Sequence, residues 1–379
     1  MVLEPALAGR RVAIVHDWLT GMRGGEKVLE AICRLLPSAE LVTLVHARGS
    51  VSPLIEQRRI RTSAIQWLPQ PARWYRHYLP LFPTAIELFD FDDVDLVVST
   101  SHCAAKAVVP TGRARHICYC HTPMRYVWDQ FDAYFGPERL GIVGSAAARH
   151  VARWLAQWDR QTSSRVDRFI ANSAYVAGRI GRYYNRAATV VHAPVATDFF
   201  TPGPAVANAT SNGFLVVSAL VPYKRVDLAI RAAMSINVPL KIVGTGPDEA
   251  RLRAIAGPGI EFLGAVSDAE LRDAYRSADA LVLPAEEDFG IAPVESLACG
   301  RPVIALGRGG ARETVEPDVT GLLVDEPDAD AFASAMRQVL GRTFDPALLR
   351  ARAERFSTAR FEAEFSEAVR DTLMTDAEW

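Results

Sequence analysis

Two glutamates separated by seven residues, Glu287 and Glu295, stand in the run LPAEEDFGIAPVESLACG from Leu283 to Gly300. The run reads as a strand, an acidic loop, Phe289–Gly290 and then a helix whose start is marked by Pro293. Eight steps along one helix would leave the carboxylates about 80° apart, so a shared helical face is not what the spacing serves. The expectation is Glu287 in the loop at the strand's carboxyl end and Glu295 in the first turn of the helix. Amides at such a terminus hold phosphate, and flanking carboxylates accept hydrogen bonds from sugar hydroxyls. An acidic helix start that only complements the dipole has the same sequence, so both readings stand.

A second run, VVSALVPYKRVD from Val216 to Asp227, carries Lys224 and Arg225 out of a strand and into a helix start. The chain is rich in arginine and has only four lysines, so a lysine beside an arginine at this point carries weight. A point charge next to a planar fork suits a diphosphate; a solvated basic helix start is the alternative. In IVGTGP, Gly244 and Gly246 follow a strand, but Asp248 and Glu249 stand where a dinucleotide fingerprint needs its third glycine. The pair reads as a turn that lets backbone approach a base or phosphate. Earlier, a strand leads into His16, Asp17 and GMRGGE, where Gly24 and Gly25 open a helix. His121 begins HTPMR at the end of another strand, where open α/β sheets bind ligands. A lone histidine is also commonly a satisfied structural residue, and that alternative remains.

Cys118 and Cys120, beside His116 and His121, invite a metal reading. With no second cluster at zinc spacing, they read instead as small apolar residues on one face of a strand. All five cysteines lie in apolar runs, as expected of reduced thiols in a cytoplasmic protein.

These residues need a scaffold that presents strand ends. Short β-branched runs alternate with amphipathic stretches throughout, the pattern of parallel sheets covered on both faces. Strands are expected at Arg11–Val15, Leu41–Leu44, Leu96–Ser99, His116–Cys120 and Arg168–Ala171. A second series is expected at Phe214–Ser218, Leu240–Gly244, Ile260–Leu263, Ala280–Leu283 and Pro302–Ala305. The 379 residues suit two domains. A Pro-, Ala-, Gly- and Asn-rich stretch at about 197–213 is the expected linker. From about Asp345 the chain reads as helical to Leu373, with Phe356, Phe361 and Phe365 along it.

No run of 18 apolar residues occurs and the first ten residues lack signal-peptide zones, so a cytoplasmic protein is expected. The net charge of −2 hides a division: residues 1–195 hold 24 basic against 16 acidic residues, the remainder 18 against 28. A basic half suits an anionic partner such as a lipid surface, or else reflects arginine-rich coding. No nucleic-acid partner is expected, since the sequence has no zinc-finger spacing, RNA-recognition signature or basic tail.

Together these segments resemble the retaining glycosyltransferases of family 4, over nearly the whole chain and with all motifs in order. Glu287 through Glu295 with the trailing SLACGRPVIA resembles the family's E-x7-E motif, and Lys224 falls where the family has its diphosphate-binding lysine. The arginine paired with that lysine would fall at Ala219, a departure for which Arg225 is the candidate substitute. The ANS triplet Ala171–Ser173 resembles a family feature too. The resemblance implies the GT-B fold: two Rossmann-like domains facing a cleft, at 1–195 for the acceptor and 196–355 for the nucleotide sugar. A final helix, 356–379, would return to the first domain and give the three phenylalanines their destination.

The resemblance further implies that Glu295 binds ribose and Glu287 the donor sugar. Amides around Phe289, Gly290 and Ile291 would meet the β-phosphate, with Gly24–Gly25 facing the donor phosphates and His121 near the donor sugar. Catalysis would rest on His121, Glu287 and Lys224, with retention of configuration, front-face attack and no metal or other cofactor. The openings AIVHDWLTGMRGGEKVLE and HTPMRYVWD resemble bacterial O-antigen and exopolysaccharide mannosyltransferases, which implies GDP-mannose, with UDP-sugars as the alternative donor. The acceptor would be a glycan or a polyprenyl-diphosphate-linked glycan.

Aromatic and basic residues mix at Trp67, Arg73, Trp74, Tyr75, Arg76, His77, Tyr78, Phe82 and Phe89. They mix again at Arg149, Arg153, Trp154, Trp158, Arg160 and Arg165. They read either as a peripheral contact with the inner face of the plasma membrane or as core aromatics beside solvated arginines. Rival functions are a nucleotide-sugar epimerase, a nicotinamide oxidoreductase and a non-catalytic sugar-nucleotide-binding subunit.

Overall fold

The computed structural model describes residues 3, 7–112, 114–203 and 213–374. It divides into two compact units: residues 1–194 with 361–379, and Val195–Arg360. Most of the expected linker, 204–212, lies outside the described residues, as do 375–379 of the expected final helix.

The first unit holds a seven-stranded sheet of order β3-β2-β1-β4-β5-β6-β7. Its strands are β1 (Val12–His16), β2 (Glu40–Thr43), β3 (Ile60–Thr62), β4 (Leu96–Ser101), β5 (Arg115–Cys120), β6 (Arg168–Ala171) and β7 (Ala188–Val190). Every pairing is parallel. All five residues of β1, VAIVH, are buried, which is what a central strand covered on both faces requires. The chain runs outward in one direction from β1 to β3, then restarts at β4 on the other side of β1, so the topological switch lies between β1 and β4. Helices α1 (Gly24–Leu35), α2 (Pro137–Thr162) and α3 (Ala174–Tyr184) belong to this unit.

The second unit repeats the plan with six parallel strands in the order β10-β9-β8-β11-β12-β13. These are β8 (Phe214–Val217), β9 (Leu240–Val243), β10 (Ile260–Gly264), β11 (Ala280–Leu283), β12 (Val303–Leu306) and β13 (Gly321–Val324). Its switch point lies between β8 and β11. Around the sheet are α4 (Val226–Ser235), α5 (Asp268–Ser277), α6 (Ile291–Ala298), α7 (Ala329–Leu340) and α8 (Pro346–Glu354). The last helix, α9 (Thr358–Met374), passes into the first unit from Phe361 onward.

The three phenylalanines expected to travel together separate. Phe361 and Phe365 stack on each other and meet Tyr119 of β5, with ring centroids 5.7 and 6.5 Å from the tyrosine. Phe356 precedes α9 and packs on Phe289 at 5.5 Å in the second unit. Cys118 and Cys120 share one core cluster with Val166 and Phe169, as alternate strand residues do, and every cysteine is free and buried. The aromatics at 67–91 also divide: Tyr75, Phe82 and Phe89 are core residues, while Trp67 and Trp74 are exposed.

Candidate active site

In the first unit the carboxyl ends of β1, β4 and β5 deliver three histidines to one place. His16 ends β1, His102 follows β4 and His121 follows β5. Their ring centroids lie 6.2 to 6.5 Å apart. Asp17 organises the group from below. Its Oδ2 accepts from the amides of His102 (2.7 Å) and Cys103 (3.0 Å), and its Oδ1 from those of Ala104 (2.6 Å) and Ala105 (2.7 Å). The His102 ring adds its Nδ1 at 3.0 Å. Burial would raise the Asp17 pKa, but His102 and these hydrogen bonds hold it well below the usual carboxylate range. Burial likewise opposes a charge on His102, and Asp17 outweighs it, raising the imidazole's pKa.

His121 is in the opposite condition. Burial, with His102 and His16 adding to it, lowers its pKa to about 3, so the ring is neutral. Its Nε2 and that of His16 are buried and have no hydrogen-bond partner, although the Glu26 carboxylate lies 4.0 Å from His16. Gly24 and Gly25 are the first two residues of α1, and a Cβ at Gly25 would sit 3.6 Å from His121 Nε2 and 3.8 Å from His16 Cε1. The glycine therefore keeps open the space in front of two imidazoles. So weak a base is suited to exchange a hydrogen bond with a hydroxyl, not to remove its proton at neutral pH.

The ANS triplet has a physical role beside this site. Asn172 donates Nδ2 to the His121 carbonyl at 3.1 Å, and Ser173 caps α3 by accepting from the Val176 amide at 3.0 Å.

In the second unit the loops after β8 and β11 meet. Lys224 ends a 3₁₀ turn, Pro222–Lys224, and its ammonium pairs with the Glu287 carboxylate; each side chain is 15% exposed. The Glu287 carbonyl accepts from the Gly310 amide at 2.8 Å, and a Cβ on Gly310 would collide with Phe289 backbone. The glycines thus let the 309–310 segment press against the acidic loop and fix it. Gly290, at φ 87°, caps α6 with no side chain on the helix terminus. Phe289 is buried behind it, and Ile291 is the first helical residue.

Three expectations are revised here. The helix begins at Ile291, two residues before Pro293, so Glu295 lies in its second turn, not its first. The Glu295 carboxylate is buried and its Oε2 accepts from the Tyr275 hydroxyl at 2.8 Å. Gly244 and Gly246 serve a neighbouring loop: a Cβ on either would run into the carbonyl of Ser218 or Leu220. Arg225 does not join Lys224. It occupies a left-handed conformation (φ 50°), and its guanidinium lies 3.3 and 3.5 Å from the Asp227 carboxylate.

Asp-x-Asp spacings occur at Asp90–Asp92, Asp93–Asp95 and Asp328–Asp330. They serve local structure: Asp95 accepts from the Arg11 amide, Asp93 pairs with Arg11, Asp90 accepts from the Asp92 amide and Asp328 caps α7. Among the described residues no group of three or more His, Cys, Asp or Glu is placed to hold a metal ion.

The family described as Glycosyltransferase Family 4 matches residues 22–199, and the one described as Glycosyl transferases group 1 matches residues 202–356. Between them they take in both units. The chain belongs to the family 4 glycosyltransferases.

The D-inositol 3-phosphate glycosyltransferase of Geodermatophilus obscurus is 33% identical over 214 residues, 48% of this chain and 48% of its own. The GDP-mannose-dependent monoacylated alpha-(1-6)-phosphatidylinositol monomannoside mannosyltransferase of Corynebacterium glutamicum is 31% identical over 245 residues, 57% of this chain and 63% of its own. The chain spans about half the length of the curated relatives it matches. Among solved structures, Anabaena HepE in complex with UDP-glucose superposes with a TM-score of 0.70 at 18% identity, over 95% of this chain and 99% of that one. Sucrose-phosphate synthase from Thermosynechococcus elongatus gives 0.68 at 18% identity, over 97% and 100%. These neighbours share the two-domain GT-B fold of the family.

Sequence reasoning gave no role to His16, Asp17, His102, Tyr275 or Gly310. His16 and Asp17 were visible as the end of the first strand. The partners of Asp17 stand 85 to 88 residues away, and no local pattern points to them.

Proposed function

We propose that this family 4 glycosyltransferase moves a hexose, with retention, from a nucleotide diphosphate to a glycan acceptor. Its preferred donor in this reading is GDP-mannose, and its acceptor is a polyprenyl-diphosphate-linked glycan of cell-surface polysaccharide assembly. The observation that carries the reading is the pairing of Lys224 with Glu287 beside the start of α6, whose glycine cap puts no side chain on the terminal amides. A diphosphate arriving there takes the ammonium as a counter-charge and the helix-terminal amides as donors. Glu287 is then released to accept from sugar hydroxyls, and Glu295, braced by Tyr275, to accept from the ribose. The GDP-mannose dependence named for the Corynebacterium relative supports the choice of donor.

In the transfer step the bond between the anomeric carbon and the diphosphate oxygen breaks, and the acceptor oxygen bonds to that carbon on the same face. The acceptor's proton passes to the departing phosphate oxygen. Charge grows on the diphosphate in the transition state, where Lys224 and the α6 amides are already oriented toward it. The reading invokes no metal. In the first unit, Gly24 and Gly25 leave room for a ligand before His121, whose neutral Nε2 is matched to a sugar hydroxyl.

The test is thermal unfolding of the purified chain with GDP, UDP, ADP and NAD at equal concentration. A ligand at a hundred times its dissociation constant adds about 2.7 kcal/mol. The reading expects a rise with GDP alone; a rise with UDP alone replaces the donor, and a rise with NAD alone removes the transferase reading.

A further inference from the structure

The first unit also holds a buried ion pair that the proposed transfer does not use. The side chains of Lys106 and Asp159 are 1% and 0% exposed, with Nζ 3.0 Å from Oδ1. Lys106 belongs to the 3₁₀ turn Ala105–Ala107 after β4, and Asp159 to the last turn of α2. The ammonium also donates to the Asp159 carbonyl at 2.5 Å and to the Thr162 hydroxyl at 3.0 Å. The other carboxylate oxygen, Oδ2, accepts from the Trp128 indole N–H at 2.8 Å and from the Tyr184 hydroxyl at 2.9 Å. One carboxylate on α2 thus holds three other stretches of chain.

Replacing a buried ion pair by apolar residues of similar volume is often neutral or stabilising, so stability alone does not account for this one. What the pair fixes is register, since each donor must reach its oxygen. Two of the stretches it joins carry histidines of the candidate site. His102 opens the loop whose amides bind Asp17, and Lys106 directly follows the last of those amides, that of Ala105. Trp128 ends the segment HTPMRYVW that His121 begins, of which Thr122, Pro123 and Met124 are buried. The two stretches touch again where the Cys103 thiol meets the Tyr126 hydroxyl at 2.7 Å. The 6.2 Å between the His102 and His121 rings is therefore set from two points, one of them Asp159. The third donor differs, because Tyr184 stands at the end of α3 remote from Asn172 and Ser173.

We infer that Asp159 is a positioning residue for sugar transfer: through Lys106 and Trp128 it locks the loops of His102 and His121 in one register. The inference rests on the proposal that a sugar hydroxyl meets His121. Misplacing such a group by about 1 Å costs on the order of a hundredfold in rate.

The experiment compares Trp128→Phe with Tyr184→Phe in the full chain, with thermal melting to show that both fold. Each removes one hydrogen bond to the same oxygen, so a purely structural Asp159 would make the two variants alike. In NMR spectra of ring-labelled histidine, assigned by single substitutions, Trp128→Phe should shift the His121 signal and Tyr184→Phe should leave it in place. GDP release from GDP-mannose should fall about tenfold or more in Trp128→Phe and change less than about twofold in Tyr184→Phe. GDP affinity should hold in both, since the proposed diphosphate contacts lie in the second unit. Trp128→His separates the bond from the lost ring volume. Its imidazole Nε2 falls where the indole Nε1 stood, so the His121 signal and the turnover should return toward wild type. An unmoved His121 signal in Trp128→Phe overturns the inference, as does the same shift and loss in Tyr184→Phe. So does a Trp128→His variant that behaves as Trp128→Phe does. A wild-type chain that releases no GDP from GDP-mannose refutes the donor reading instead, while the histidine spectra still decide the positioning.

Discussion

The two switch points sit on sheets of the same topology and hold their charges in opposite ways. In the first unit Asp17 is fully buried, and its partners are all protein: four amides and the His102 ring. In the second unit Lys224 and Glu287 lie at the rim, partly open to solvent, with each supplying the other's charge. A charge whose every hydrogen bond is made within the fold cannot change partners without loss, so Asp17 sets shape. A rim pair can exchange one partner for a ligand at small cost, so Lys224 and Glu287 are fitted for recognition. Identical topology thus supplies two strand-end sites, and the burial of the first charge decides which of them is scaffold.

The largest effect should come from Asp17→Asn. The amide keeps the shape but puts a donor where one oxygen accepted from two backbone amides, and leaving buried donors without an acceptor costs about 1–3 kcal/mol each. Chemical denaturation should show that loss in the first unit. A loss below about 1 kcal/mol would mean that neither the charge nor the two amide bonds lost with that oxygen hold the loop.

Lys224→Ala should act the other way round. Stability should change by about 1 kcal/mol, as for a partly exposed pair, while turnover of GDP-mannose falls roughly 10²–10³-fold, the usual cost of one preorganised donor. Steady-state kinetics and a melting curve on the same preparation separate the two. A variant that unfolds as readily as Asp17→Asn would erase the contrast between scaffold and recognition site.

The sequence disclosed these two sites unequally, for the same reason. Glu287 and Glu295 are close in the chain, and their spacing is readable because a strand end, a loop and a helix start must succeed one another within a few residues. The strands that carry the sites, β1, β4, β5, β8 and β11, were legible as buried apolar runs. The edge strands β3 and β7, only three residues each and half-buried at best, have no such run. The turn position of Glu295 is not legible in the sequence, because Pro293 fits the third helical position as well as the first, while Gly290 caps the helix. His102 was beyond reach, because its meaning comes from Asp17 on another strand.

Acid should also separate the units. All eight histidines fall within the first 192 residues, and six of the seven tryptophans within the first 158, so intrinsic fluorescence follows the first unit. His116, buried and bonded to Ser99 and the Arg165 carbonyl, has its pKa lowered to about 4, and His121 to about 3. Both lie below the ordinary 6.5, so the unfolded chain binds their protons first. Their stabilising contribution is complete above pH 6.5 and is lost as pH falls toward 4 and 3. His102 has the opposite sign: its contribution is complete below 6.5 and lost as pH rises through its elevated value. The two neutral rings should dominate between pH 7 and 5, costing roughly 2–4 kcal/mol by fluorescence-detected urea unfolding. His116→Asn should flatten that dependence, and an unchanged slope would assign the acid sensitivity elsewhere.

The smallest effect tests the one departure from the family's diphosphate motif. Ala219 is exposed, directly after β8 and Ser218, where the resemblance expects an arginine. Arg225 is turned to Asp227, so its charge already has a counter-charge. On that geometry Ala219→Arg adds a missing phosphate contact and should tighten GDP binding about fivefold, close to 1 kcal/mol, with no change in melting temperature without ligand. Arg225→Gln, by contrast, should leave GDP affinity within twofold. Titration calorimetry on both variants decides between them. If Arg225→Gln weakens GDP tenfold and Ala219→Arg gains nothing, the guanidinium leaves Asp227 when the diphosphate arrives, and the second unit's site is completed by a residue that the family motif does not contain.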